Sequence, residues 1–216
     1  MLMNRLPVFA AEGMGAGWAS AEVPERPVLT MPEAEAARLR DEYSKASRIL
    51  EYGMGGSTAL AAEMAGKSVF SVESDKAWHD AMGRYFAAHP PRARVILHHA
   101  DIGPTRAWGH PVDEGKFRRW PSYPLAIWDR QDFTQPDVVL IDGRFRAACF
   151  LATLFRTKAP VRVLWDDYLG RDRYHEVEEF CAPTETVGRM AIFDLKPTPV
   201  PPAKLAQIIT LFLRPL

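Results

Sequence analysis

Cysteine is scarce in this sequence: Cys149 and Cys181 are the only two among 216 residues. They are not arranged in a spaced framework, so neither a disulfide-stapled domain nor a zinc site is indicated. An excess of charge of one sign is also lacking, because 27 Lys and Arg balance 27 Asp and Glu. Without a positive field to concentrate nucleic acid or an anionic membrane, we expect neither as a partner.

Long hydrophobic runs are absent as well, since no apolar stretch approaches the roughly 18 residues that span a bilayer. Residues 1–30 show no period, and Asn4, Arg5 and Glu12 interrupt the apolar core that a signal peptide needs. The expectation is a cytoplasmic protein with a loose N-terminal arm at 1–30 and a single domain at 31–216.

Short apolar strands alternate with amphipathic helices along most of the chain. Strands are predicted at 48–52, 67–72, 94–99, 137–141 and 161–165, and helices at 32–45, 57–65, 75–88, 146–157 and 174–180. Two more short strands are expected around residues 188–189, and 203–212 is interpreted as a helix, with an edge strand at 208–213 as the alternative. This order predicts an α/β fold with a mostly parallel, doubly wound sheet covered by helices on both faces.

One connection between predicted elements is much longer than the others. Residues 103–123 contain Pro104, Pro111, Pro121, Trp108 and Trp120 without a clear period, which is typical of an ordered loop. The segment follows the third strand and emerges at the carboxyl edge of the sheet, where open α/β folds bind ligands. It is therefore a candidate lid.

The strongest local motif runs from Glu51 to Thr58, Glu-Tyr-Gly-Met-Gly-Gly-Ser-Thr, between a predicted strand and a predicted helix. Glycines there permit a tight turn and close backbone approach by a ligand, and the helix N-terminus offers free N–H groups. Glu73 ends the second strand about 20 residues after the first glycine, the spacing of an acid that binds a ribose hydroxyl. Asp101, after the third strand, could accept a hydrogen bond from the exocyclic amine of adenine.

With these three elements in order, residues 48–195 resemble the class I S-adenosylmethionine (SAM)-dependent methyltransferases. The resemblance implies a Rossmann-like sheet of about seven strands and SAM as the cofactor. One departure is Ser57, which stands where many members carry the last glycine of the motif. By resemblance the cofactor contacts would be Glu51, Gly53, Met54, Gly55, Ser57, Thr58, Glu73, Ser74, Asp101, Ile102 and Asp142.

Acids also follow the fourth and fifth strands: Asp142 after one, and Asp166 with Asp167 after the other. They are similar to the ligand set of metal-dependent catechol-type O-methyltransferases, with Asp167 at the place of an asparagine, which implies Mg²⁺ or Mn²⁺. Alternatively, the three acids cap helices or pair with arginine. We expect them, with Arg144, to shape the catalytic side. Arg144 and Arg146 are equally compatible with binding an anionic substrate and with pairing with these acids.

The function hypothesis is methyl transfer from SAM to a small-molecule acceptor. Oxygen is the preferred nucleophile, because the Asn-Pro-Pro-Tyr type of signature of enzymes that methylate nucleobase or amide nitrogens is absent. One alternative is a catalytically silent SAM-binding module with a protein partner, and another is an NAD-dependent oxidoreductase. A homo-oligomer is compatible with the composition. Fold analogy does not name the methyl acceptor.

Overall fold

The fold is built on a seven-stranded sheet, seen in a computed structural model that describes residues 25–216; the first 24 residues of the predicted arm lie outside the described residues. The nine strands are β1 (Arg48–Tyr52), β2 (Ser68–Glu73), β3 (Arg94–His99), β4 (Thr105–Arg106), β5 (His110–Pro111), β6 (Val138–Ile141), β7 (Val161–Trp165), β8 (Glu185–Val187) and β9 (Met190–Leu195). The order in the large sheet is β3-β2-β1-β6-β7-β9-β8, and β4 pairs with β5 in a separate two-stranded ribbon.

Five strands of the large sheet are parallel, and β9 runs antiparallel to both β7 and β8. The predicted α/β sheet of about seven strands is thus confirmed. The predicted bounds of β1, β3 and β7 match the structure, because each is a short apolar strand that ends at a local turn signal.

The helices cover both faces of the sheet. They are α1 (Glu33–Lys45), α2 (Gly56–Ala62), α3 (Lys76–Ala88), α4 (Ser122–Leu125), α5 (Arg146–Arg156) and α6 (Leu205–Phe212). The α3 helix begins after Asp75, whose carboxylate accepts hydrogen bonds from the backbone N–H groups of Ala77 and Trp78. The terminal segment is helical, so the edge-strand alternative at 208–213 is wrong. Residues Asp172–Glu179 form a 3-10 helix where an ordinary helix is predicted.

Two apolar layers pack on opposite faces of the sheet because successive strand residues point to opposite sides. Leu50 of β1 belongs to the layer under α5, with Phe150 and Phe193. Its neighbour Ile49 belongs to the layer under α1, with Leu39. This arrangement buries the strands on both sides and leaves their carboxyl ends as the edge where polar side chains collect. None of the helices within residues 25–216 has the length and apolar character to cross a membrane.

Candidate functional site

The glycine turn lies at the carboxyl end of β1, between β2 on one side and β6 on the other. The strand order reverses at this point, which makes it the expected ligand crevice of an open α/β sheet. Gly53 adopts a positive φ of 110° and donates its N–H to the carbonyl of Val72. A Cβ on Gly55 would meet no atom within 4 Å, so the turn faces open space there. The backbone of the turn is therefore accessible to a ligand.

Glu51 is fully buried at the end of β1. Its Oε1 accepts a hydrogen bond from the Tyr43 hydroxyl at 2.8 Å, and its Oε2 accepts one from the Thr58 hydroxyl at 2.5 Å. Burial raises the pKa of Glu51, although both hydrogen bonds oppose that rise. Thr58 also accepts the N–H of Gly55 at 3.0 Å. These contacts give Glu51 and Thr58 a role in fixing the turn; their contact with a cofactor stays a prediction, as does that of buried Ser57.

The carboxylate of Glu73 lies between the turn that follows β1 and the turn that follows β2. Its Oε1 accepts the N–H groups of Ser74 at 2.6 Å and Asp75 at 2.8 Å, while its Oε2 receives only a long hydrogen bond, 3.4 Å, from the N–H of Met54. Burial raises the pKa of Glu73, and the backbone donors oppose this. Because a carboxylate oxygen accepts two hydrogen bonds, Oε2 retains capacity for a ligand hydroxyl.

The ribbon formed by β4 and β5 folds back over this acid. Ser74 donates its hydroxyl to the carbonyl of Gly109 at 2.9 Å, and a Cβ on Gly109 would lie 2.9 Å from Glu73 Oε1. Trp108, beside it, is 88% exposed, whereas Trp120 is buried in the core. The predicted lid segment therefore contacts the predicted ribose acid directly. Its opening and closing stay a prediction.

Asp101 lies exposed just beyond β3, while the neighbouring Ile102 is buried. The Asp101 carboxylate accepts the N–H of Gly103 at 3.0 Å and pairs with Arg119 at 2.7 Å. Both interactions lower the pKa of Asp101. Asp101 is thus ionised and held by Gly103 and Arg119, and its contact with adenine stays a prediction.

Asp142 follows β6 and is tied to Arg146, the first residue of α5. The buried Arg146 guanidinium donates to Asp142 Oδ1 at 3.0 Å and to three backbone carbonyls, those of Asp142, Gly143 and Asp166. Burial raises the pKa of Asp142 to about 6; Arg146 acts against the rise, and the nearby Asp166 and Asp167 add to it. Arg146 thus fastens the loops after β6 and β7 together.

Asp166 and Asp167 are both paired with an arginine that the sequence reasoning missed. Arg189 donates to the two Asp166 oxygens at 2.9 and 2.6 Å and lies 3.0 Å from Asp167 Oδ1. Asp167 also pairs with Arg171 at 3.0 Å. The only sequence signal near Arg189 is the turn at 188–189, which says nothing about the partner.

The three acids do not fit a metal centre. Each carboxylate is turned toward arginine, and residues 25–216 hold no group of three or more His, Cys, Asp or Glu side chains that could bind a metal ion. Arginine supplies the compensating positive charge that a divalent cation would otherwise supply. The arrangement matches the pairing alternative, and the Mg²⁺ or Mn²⁺ hypothesis receives no support from the geometry.

Two further residues escaped the sequence reasoning. Tyr43 is on α1 and reaches Glu51 across the sheet face, and Tyr123 of α4 accepts the N–H of Arg144 at 3.3 Å. Both are aromatic residues within apolar patterns, so the sequence marks them only as core. The tertiary fold brings the Tyr43 hydroxyl to Glu51, at the end of β1, and the Tyr123 hydroxyl to Arg144, after β6.

Comparison with solved structures finds a close relative. A methyltransferase-like protein from Silicibacter pomeroyi is 52% identical to the chain, with a TM-score of 0.84; the match covers 88% of this chain and 99% of that one. No protein-family model matches the chain, and no curated protein matches it.

More distant structures share the fold. The O-methyltransferase TomG from Streptomyces achromogenes, solved with SAM, is 17% identical with a TM-score of 0.53, and the match covers 79% of this chain and 82% of TomG. An O-methyltransferase from Bacillus cereus, solved with S-adenosylhomocysteine (SAH), is 17% identical with a TM-score of 0.51 and coverages of 83% and 86%. At these identities the likeness extends to the fold alone.

Proposed function

The chain belongs to the class I SAM-dependent methyltransferases, and from this premise we propose that it is an enzyme that methylates an oxygen of a small-molecule acceptor. The observation that carries the proposal is the position of Glu73. Backbone N–H groups of the glycine turn and of the start of α3 hold its carboxylate, and Oε2 retains acceptor capacity. Oxygen as the nucleophile is supported by the absence of the nitrogen-methylation signature and by the fold shared with O-methyltransferases.

The residues present fit SAM. The space beside Gly55 is open, so a ligand can approach the backbone of the turn. In this proposal Glu73 accepts a hydrogen bond from a ribose hydroxyl, with Met54 and Ser74 next to it, and Asp101, beyond β3, contacts the adenine. In this proposal Gly53 and the N-terminus of α2 approach the methionine part.

When bound, SAM supplies an electrophilic methyl group. The chain has to orient the acceptor and remove its hydroxyl proton. Asp142 suits the proton-accepting role, because its pKa of about 6 makes it a stronger base than an ordinary aspartate while leaving it ionised at neutral pH. Arg146 fixes the position of that carboxylate. Asp166 and Asp167, paired with Arg189, hold the neighbouring loop in place.

The first test is calorimetric titration of the purified chain with SAM, SAH and NAD. We expect both adenosyl ligands to bind and NAD to fail. Glu73→Gln should weaken SAH binding because an amide offers one acceptor oxygen instead of two. The exposed Glu63, whose carboxylate pairs with Arg26, provides the matched control Glu63→Gln. Binding of NAD alone, or of no ligand, would exclude the proposal.

The second test separates an enzyme from a silent binding module. The chain is incubated with methyl-labelled SAM and a small-molecule extract, and transfer of label is measured for the wild type and for Asp142→Asn. Transfer that falls strongly in the variant, measured at a SAM concentration that saturates both proteins, supports the enzyme and the role of Asp142. Tight SAM binding with no transfer to any fraction would favour the module.

A further inference from the structure

Arg144 differs from the other partly or fully buried arginines of residues 25–216. Six further arginines of residues 25–216 are at least partly buried, and each forms an ion pair with a carboxylate: Arg38, Arg130, Arg146, Arg162, Arg189 and Arg214. Arg144 is partly buried and has no carboxylate partner among the described residues. An unpaired cation held away from water costs free energy, so this arrangement calls for an explanation.

The guanidinium of Arg144 also has no hydrogen-bond acceptor within residues 25–216. Its Nε is shielded from solvent and has no acceptor in the structure. Burial lowers the pKa of Arg144, and the positive charges of Arg146 and Arg171 lower it further. The surroundings therefore carry donors and positive charge in excess of what the local carboxylates neutralise, which is the pattern of a site that receives an anion.

The position of Arg144 connects this cation with the proposed chemistry. Arg144 is two residues after Asp142, and its backbone is held by the Tyr123 hydroxyl. His110, on the ribbon, lies close enough that the charge of Arg144 adds to the effect of burial in lowering the pKa of the imidazole. The phenol of Tyr174 acts in the opposite sense on the pKa of Arg144, raising it, and the guanidinium of Arg171 lies 5.7 Å from the centre of the Tyr174 ring. Arg144 is thus near enough to His110 of the ribbon and to Tyr174, after β7, for its charge to interact with both side chains.

We propose that Arg144 binds the carboxylate or phosphate group of the methyl acceptor, at a site bounded by His110 and Tyr174. The proposal rests on the proposed function and narrows its substrate class to hydroxyl compounds that carry an anionic group. Guanidinium forms paired hydrogen bonds with both carboxylate and phosphate, so either group fits. Arg146, by contrast, is committed to Asp142 and to three carbonyl groups, so it is not the anion anchor.

The test uses the SAH-bound chain and three simple probes: benzoate, its uncharged counterpart benzamide, and inorganic phosphate. Binding is followed by calorimetry and by the NMR signal of the Arg144 Nε–H group. We expect at least one anion to bind and shift this signal, while benzamide does neither. A benzoate response identifies a carboxylate acceptor, and a phosphate response identifies a phosphorylated one. Absence of any shift with both anions would overturn the proposal.

Variants then locate the contact. Arg144→Met should weaken binding of the anion by about tenfold or more, because a charge-assisted pair is lost. SAH affinity should stay the same. Arg173→Met is the control, since Arg173 is exposed and precedes Tyr174 in the chain, and its substitution also removes one positive charge while Arg144 is kept. Equal anion affinity in the two variants would contradict the role of Arg144. Failure of SAH to bind would instead count against the proposed function, and the anion titration repeated on the ligand-free chain would then show separately whether Arg144 binds an anion.

Discussion

The backbones of Gly53 and Gly143 lie in direct contact, one in the turn after β1 and the other in the turn after β6. A Cβ on Gly53 would lie 2.7 Å from the Gly143 nitrogen, and a Cβ on Gly143 would lie 2.8 Å from the Gly53 nitrogen. No side chain fits between them. This contact places the glycine turn against Asp142, so the residues proposed to bind the cofactor adjoin the residue proposed to act on the acceptor.

Gly53→Ala should destabilise the fold by about 2 to 4 kcal/mol, because alanine is strained at a φ of 110° and its methyl group would meet the Gly143 backbone. Urea unfolding measures this. Gly83, inside α3 with open space around it, provides the control: Gly83→Ala should be neutral or stabilise by about 0.5 to 1 kcal/mol. A Gly53→Ala variant as stable as the wild type would contradict the contact.

Substitution by methionine should change the stability of the protein differently at Arg144 and at Arg146. Arg146→Met leaves Asp142 and three backbone carbonyls without their donor, which we expect to cost about 3 kcal/mol or more. Arg144→Met removes an unpaired cation, so stability should stay the same or rise. Thermal unfolding of the two variants side by side tests the contrast. A large loss for Arg144→Met would mean that Arg144 supports the fold.

Gly109→Ala should release the ribbon from Glu73. Gly109 has a φ of +66°, and an added methyl group would lie 2.5 Å from Ser74 Oγ and 2.9 Å from Glu73 Oε1. If the ribbon covers the ribose position, stopped-flow association of SAH should be severalfold faster in the variant. Gly170→Ala is the control, because a Cβ added at Gly170 would meet no atom within 4 Å. An unchanged association rate would show that the ribbon does not limit entry.

The pKa values of Asp142 and Asp101 should be well separated. Burial raises the pKa of Asp142 to about 6, whereas the Gly103 N–H and Arg119 hold the pKa of Asp101 below 3.8. Carbon-13 NMR of the carboxyl groups measures both. A midpoint for Asp142 near that of Asp101 would contradict the assignment.

The same shift predicts a pH dependence of stability. Between pH 3.8 and about pH 6, the folded chain binds more protons at Asp142 than the unfolded chain does. The contribution of this group to stability is therefore greatest at low pH and falls as the pH rises through that window. Asp142→Asn should remove this fall, as measured by denaturant unfolding across the window. An identical pH profile in the variant would contradict the raised pKa.

Much of the fold follows from local pattern. The strands at 48–52, 94–99 and 161–165 end where the sequence indicates, because apolar runs and turn residues act over a few neighbours. The place of Glu73 at a strand end is equally local. The helix at 174–180 was predicted with less accuracy, since its polar sequence also suits the tighter 3-10 form.

The partners of the charged residues were decided by the tertiary structure. By itself the sequence determined the strand order along the chain, the glycine turn and the acids at strand ends. It left open which of Arg144 and Arg146 would pair, because that depends on side-chain direction at the start of α5. Arg189 lies beside Asp166 only because β9 runs antiparallel to β7, with Trp165 opposite Ala191. Such contacts join residues far apart in the chain, and only the packed sheet brings them within hydrogen-bonding distance.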